Sequence, residues 1–151
     1  GQLGREVTEA DVEPGTWFLA ERGRDISAVD YARAQGAMST FRRSMAEWWE
    51  SGFDLLVTPT TALPPPPIGE LTPTDDDPVR GSKRSMPYAT FTSPFNTTGQ
   101  PAISLPLGSS DGLPVGVQLV AAYGREDLLI AVGSQLEAEA RWSDHRAPIH
   151  A

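Results

Sequence analysis

Residues 88–119 constrain this chain most, because burial alone cannot explain the identity of many residues in this stretch. Pro94, Pro101 and Pro106, with Gly99 and Gly108, punctuate its first part at fixed offsets. The backbone must therefore turn and re-extend along a set path rather than run as one regular element. Beyond them, residues 102–107 and 115–121 are short runs rich in Ile, Leu and Val on either side of Gly108-Ser-Ser-Asp-Gly112-Leu-Pro114. This pattern predicts two strands around a turn. Few groups in the stretch could do chemistry, so it reads as scaffold.

The rest of the chain supplies helices and one more strand. Thr8-Glu-Ala-Asp11 has the form of a helix cap, and Pro14 suits a first helical turn. A helix over 13–22 follows, ended by Gly23, with Trp17, Phe18 and Leu19 as its buried face. Ser27-Ala-Val-Asp30 is a second cap. From there Tyr31, Ala34, Met38, Phe41, Met45 and Trp48 recur at three- and four-residue steps, with Trp49 beside them. That spacing predicts a helix over 28–50 packed on a sheet and stopped at Gly52. Residues 53–58 form a continuous apolar run closed by Pro59, which predicts a strand over 54–58 buried on both faces, as in a parallel sheet. With only the later strand pair as neighbours, the sheet is expected to be incomplete. Residues 59–87 read as a long loop, with Pro64-Pro65-Pro66-Pro67 as a rigid spacer rather than a peptide ligand. Residues 88–98 fit a short helix or an irregular segment. Leu128, Leu129, Val132, Leu136 and Ala140 lie on one face of a helix over 126–141, and Glu126 and Asp127 suit its positive end. The fold class is α/β.

A chain of 151 residues is ordinarily one domain, here 1–151. A net charge of −8, with Lys83 the one lysine, argues against nucleic-acid partners. No run approaches the roughly 20 apolar residues that cross a bilayer, and the start carries no signal segment, so no membrane and a cytoplasmic location are expected. The start also lacks a methionine, as expected of a processed product, a tag remnant or an excerpt. Without cysteine there is no disulfide or thiolate chemistry. Asp75, Asp76 and Asp77 lack the spacing of a calcium loop, so neither metal nor cofactor is expected. Nucleophilic catalysis needs a serine, a base and oxyanion donors. His145 and His150 sit in a polar tail, and Ser82-Lys83-Arg84-Ser85 falls in a polar loop that cannot desolvate the amine. No catalytic residue is assigned.

Pro94-Phe95-Asn96, then Gly99-Gln-Pro101-Ala-Ile-Ser-Leu-Pro106, then Gly112-Leu-Pro114-Val-Gly116-Val-Gln118, then Glu126-Asp-Leu-Leu129 resembles the C-terminal part of the amidase-signature family, the serine amide hydrolases. Asp54-Leu-Leu-Val-Thr-Pro59-Thr60 matches upstream. The resemblance implies a mixed sheet covered by helices, incomplete in this chain. It also implies amide hydrolysis by a Ser, a second Ser before a cis bond and a Lys, all in an N-terminal part of the enzyme that has no match here. The expected partners are a small-molecule amide and that missing part, and an uncovered strand edge would favour homo-oligomers. By the same resemblance Tyr88, Ala89, Phe91 and Phe95, with Trp17, line the substrate pocket. Asn96, Gly99, Pro101, Gly116 and Gln118 are structural motif positions, the two amides satisfying buried backbone groups. Where the glutamyl-tRNA amidotransferase A subunit carries an acid that holds the glutamine amino group, the spacing puts Ala89 or its immediate neighbour in this chain. That departure disfavours an amidotransferase and favours an apolar, aryl or oligomeric amide. A truncated, non-catalytic binding or structural module is the remaining alternative.

Overall fold

A computed structural model describes residues 4–74 and 76–144. They fall into two units, one made of residues up to Ala37 together with Pro65–Pro87, the other of Met38–Pro64 together with the residues from Tyr88 onward.

In the first unit Thr8 opens a 3-10 turn, Glu9–Asp11, and its N–H donates to Asp11 Oδ2 at 2.9 Å. Helix α1, Pro14–Arg24, follows with its proline in the first turn, where a missing N–H costs nothing. It runs through Gly23 instead of stopping there. Helix α2, Ala28–Glu50, starts as its sequence predicts: Ser27 Oγ accepts the Asp30 N–H at 3.1 Å and donates to the Asp30 carboxylate at 2.6 Å. The loop expected over 59–87 is broken by α3, Arg80–Ser85. A Cβ added to Gly15 would meet Pro78 O at 2.8 Å, and one on Gly81 would meet Leu71 O at 2.7 Å, so α1 and α3 both close tightly on the intervening segment. The expected buried face of α1 is corrected: the helix buries no residue, and Leu19 is 59% exposed. Arginine covers its aromatics instead, with Arg22 5.9 Å from the Phe18 ring centre and Arg24 5.5 Å from that of Trp17.

The second unit holds the sheet. The C-terminal half of α2 enters it, and Trp49 is the one residue of α2 that is buried, whereas Tyr31 and Phe41 of the predicted stripe are exposed. Gly52, at φ 107°, reverses the chain and lets Phe53 stack on Trp48 with 4.4 Å between ring centres. Then come β1, Leu55–Pro59; α4, Ser93–Thr98; β2, Ala102–Ser110; β3, Leu113–Ala121; and α5, Glu126–Ala140. The sheet has the order β1-β3-β2 and is antiparallel throughout. This corrects the parallel reading of residues 54–58: β1 lies at an edge among the described strands, and Val57 is 60% exposed. The run lacks alternation because Leu55 and Leu56 each reach a different core. Leu55 joins Leu105, Leu119, Ala121 and Leu129 beneath α5, while Leu56 joins Trp49, Phe95 and Val120 on the opposite face. Between β2 and β3 the turn is Asp111-Gly112, both at positive φ (52° and 77°), the geometry that matches the twist of a hairpin. An irregularity in β2 between Leu105 and Gly108 absorbs Pro106, which cannot donate to the ladder.

Gly116 of β3 has a steric reason to be glycine. A Cβ there would lie 2.7 Å from Thr60 Oγ1 and 2.8 Å from Ser104 Oγ, two hydroxyls that hydrogen-bond to each other at 2.6 Å. Gly116→Ala is therefore expected to destabilise the chain by about 1–3 kcal/mol, through overpacking and loss of that bond, read as a lower urea midpoint with an unchanged slope.

Candidate functional site

The face of the sheet shared with α2 and α4 changes character along its length. Register places Leu56, Val120 and Ala102 side by side, then Thr58, Gln118 and Ser104. An apolar row thus gives way to a row of hydroxyls and an amide. Gln118 is 4% exposed, so its carboxamide needs partners. Its Nε2 donates to Thr58 Oγ1 at 3.0 Å and to the backbone carbonyl of Phe91 at 2.9 Å. The second bond fastens the segment before α4 onto the central strand.

Other bonds fix that segment at both ends. Ala62 N–H donates to Tyr88 O at 3.4 Å, and the chain just before Ala62 is held by Thr60 N–H on Gly116 O at 2.9 Å. The Ala89 carbonyl accepts from Thr92 N at 3.1 Å, Ser93 N at 2.9 Å and Thr92 Oγ1 at 3.2 Å, which turns the backbone into α4. Pro94 sits in the first turn of α4. Gly99 ends the helix at φ 80°, donating to Phe95 O at 2.8 Å. From α2, Arg42 Nε donates to Thr97 O at 2.7 Å, a positive charge at the negative end of α4. Pro101 O accepts the Ala121 N–H at 3.1 Å.

Of the residues predicted to line a pocket, Tyr88, Ala89 and Phe91 lie on this segment, each half-buried. Phe95 is corrected: it is buried in the core with Trp49 and Val120. Trp17 belongs to the first unit. Asn96 is exposed on α4 in this chain. Two shallow concavities lie elsewhere, one of about 280 Å³ along Val57, Pro59, Val115 and Val117, the other of about 220 Å³ between Trp49, Gln100 and Tyr123.

Reactive groups are arranged for structure rather than chemistry. Lys83, 64% exposed on α3, donates to Asp77 at 3.0 Å, and Ser85 Oγ donates to Ser82 O at 3.1 Å. The Arg5 guanidinium holds the Asp11 carboxyl far below its usual range, and Arg125 lowers that of Asp127, helped by the Leu128 N–H. Both are exposed pairs that stay ionised near neutrality. His145, His150 and Asp75 lie outside the described residues. Among the described residues no cluster of His, Cys, Asp and Glu could hold a metal ion, and no helix is long and apolar enough to cross a membrane. Sequence reasoning missed Thr58, Thr60, Ser104 and Arg42. The hydroxyls were discoverable only through register, since each belongs to a different strand from Gln118 or to a strand's end.

The Amidase family profile matches residues 8–130. The 6-aminohexanoate-cyclic-dimer hydrolase of Paenarthrobacter ureafaciens is 43% identical over 95% of this chain and 30% of its own length. A putative amidase, AmiC, of Mycobacterium tuberculosis is 45% identical over 97% of this chain and 30% of its own. A solved structure of 6-aminohexanoate cyclic dimer hydrolase superimposes with a TM-score of 0.86 at 43% identity, covering 96% of this chain and 31% of that one. The chain therefore spans about 30% of the length of the relatives it matches. It belongs to the amidase family, the amidase-signature amide hydrolases.

Proposed function

We propose that this chain is the C-terminal segment of a single amidase domain that hydrolyses a carboxylic amide to a carboxylate and ammonia or an amine in the cytoplasm. The serine nucleophile, the second serine and the lysine base lie in a part of the enzyme outside this chain. The observation that carries this reading is Lys83: the single lysine in a chain of an amide-hydrolase family is exposed and spent on Asp77. The segment carrying Tyr88, Ala89 and Phe91 contributes one substrate wall. Its substrate is an apolar, aryl or oligomeric amide, linear or cyclic. What supports this is Ala89, which offers no charge to an ammonium, together with the similarity to a hydrolase named for a cyclic dimer. The remaining part of the enzyme adds to the sheet at β1, where Val57 is exposed beside Pro59, Val115 and Val117.

Two outcomes are expected. The purified 151-residue chain turns over no amide and self-associates in sedimentation, whereas the polypeptide joining it to the catalytic part is active. Turnover by the verified 151-residue chain would overturn the division of labour, and a stable monomer would overturn the role given to the β1 edge. In the active polypeptide, Ala89→Asp should weaken binding of an apolar amide by about 1–3 kcal/mol, seen as a higher KM, because a buried charge then faces the substrate. An unchanged KM on that substrate would remove Ala89 from the wall.

A further inference from the structure

We propose that Gln118 is a positioning residue that sets the substrate wall through the backbone carbonyl of Phe91. This rests on the wall assignment for Tyr88, Ala89 and Phe91 made above. Gln118 stands on the central strand, between Thr58 of β1 and Ser104 of β2 in the register. Strand pairing on both sides fixes the root of its side chain. The two hydrogens of its Nε2 are divided between two different parts of the fold. One goes to Thr58 Oγ1 at 3.0 Å, a hydroxyl that itself donates to Pro59 O at 3.0 Å, so this leg stays inside the sheet. The other goes to Phe91 O at 2.9 Å, so this leg reaches the wall. The wall segment is held after Phe91 by Phe95 in the core, and before it by Ala62 N on Tyr88 O at 3.4 Å and by the turn bonds onto Ala89 O. The Gln118 leg ties the Phe91 end of the segment to the central strand. Losing that leg leaves the Phe91 carbonyl without its partner in a part-buried setting, a state relieved by letting the segment shift outward toward water.

The two legs separate the positioning role from general stability. Gln118→Met keeps length and volume but removes both donated bonds. Thr58→Val keeps shape and removes only the leg inside the sheet. In the polypeptide that joins this chain to the catalytic part, hydrogen exchange at the Thr92, Ser93 and Phe95 amides should accelerate by about tenfold in Gln118→Met and by less than about threefold in Thr58→Val. The KM for an apolar amide should rise about tenfold in Gln118→Met with kcat within about threefold, and stay near the parent value in Thr58→Val. Gln118→Glu adds an internal check: only its protonated carboxyl can donate to Phe91 O, so its KM should fall toward the parent value as pH falls, while the parent shows no such trend. Exchange unchanged in Gln118→Met overturns the proposal. So does equal acceleration in Thr58→Val, which would mark plain destabilisation. Faster exchange with an unchanged KM overturns the wall assignment and this proposal with it, yet leaves the amidase reading standing. A parent polypeptide that cleaves no amide overturns that reading itself.

Discussion

A carboxamide buried in the middle of the central strand governs the second unit. Leaving such a group unpaired costs about 1–3 kcal/mol, so its partners must be delivered by the surrounding chain. Gln118 finds them in Thr58, 60 residues earlier, and in the carbonyl of Phe91, 27 residues earlier. Both can be met at once only if β1 is in its observed register and the segment before α4 lies across the sheet. One side chain thereby fixes three separate stretches of backbone. Beside it, Gly116 leaves the space in which the Thr60 and Ser104 hydroxyls bond, space that a Cβ at that position would take.

Apolar burial supports this row from both faces. Val120 and Ala121 of β3 are fully buried, and because successive residues of a strand point to opposite faces they serve different cores. α5 covers one face, and Trp49 with Phe95 covers the other. Cover gives out toward the far end of β1, where Val57 and Val115 remain exposed. That uncovered end agrees with a chain spanning about 30% of its relatives.

Local chemistry was legible in the sequence, and long-range pairing was not. The Ser27–Asp30 cap and the three- and four-residue spacing that follows located α2 at Ala28–Glu50. The glycine-bearing turn located the hairpin, although its strands run further toward the turn than their apolar runs, because the ladder continues until the backbone reaches positive φ at Asp111. The orientation of β1 was hidden because an apolar run reports how much is covered, not which strand lies alongside. Phe95 was expected in the pocket by resemblance alone, whereas its place in α4 turns the ring into the core with Trp49 and Val120. α3 escaped notice because Gly81 and the two serines dilute the helical preference of Arg80, Lys83 and Arg84, and the close approach of Gly81 to Leu71 is a tertiary fact. At the site, the motif marked Gln118 but not its partners, which no local spacing joins.

The hairpin and the β1 pairing differ greatly in the span of chain each must close. β2 and β3 are joined by Asp111-Gly112, a turn that closes on a microsecond scale. β1 reaches β3 only after a span of 60 residues between Thr58 and Gln118, which includes the whole of Pro65–Pro87 from the other unit. Loop-closure entropy charges that step on each attempt, and the contacts that reward it arrive only at its end. Loop closure therefore favours the hairpin with α5 as the part of the second unit that forms first, with β1 joining it later. Until then the long edge of β3 stands open, which makes the wait for β1 the interval in which a newly made chain is most exposed to pairing with the wrong strand.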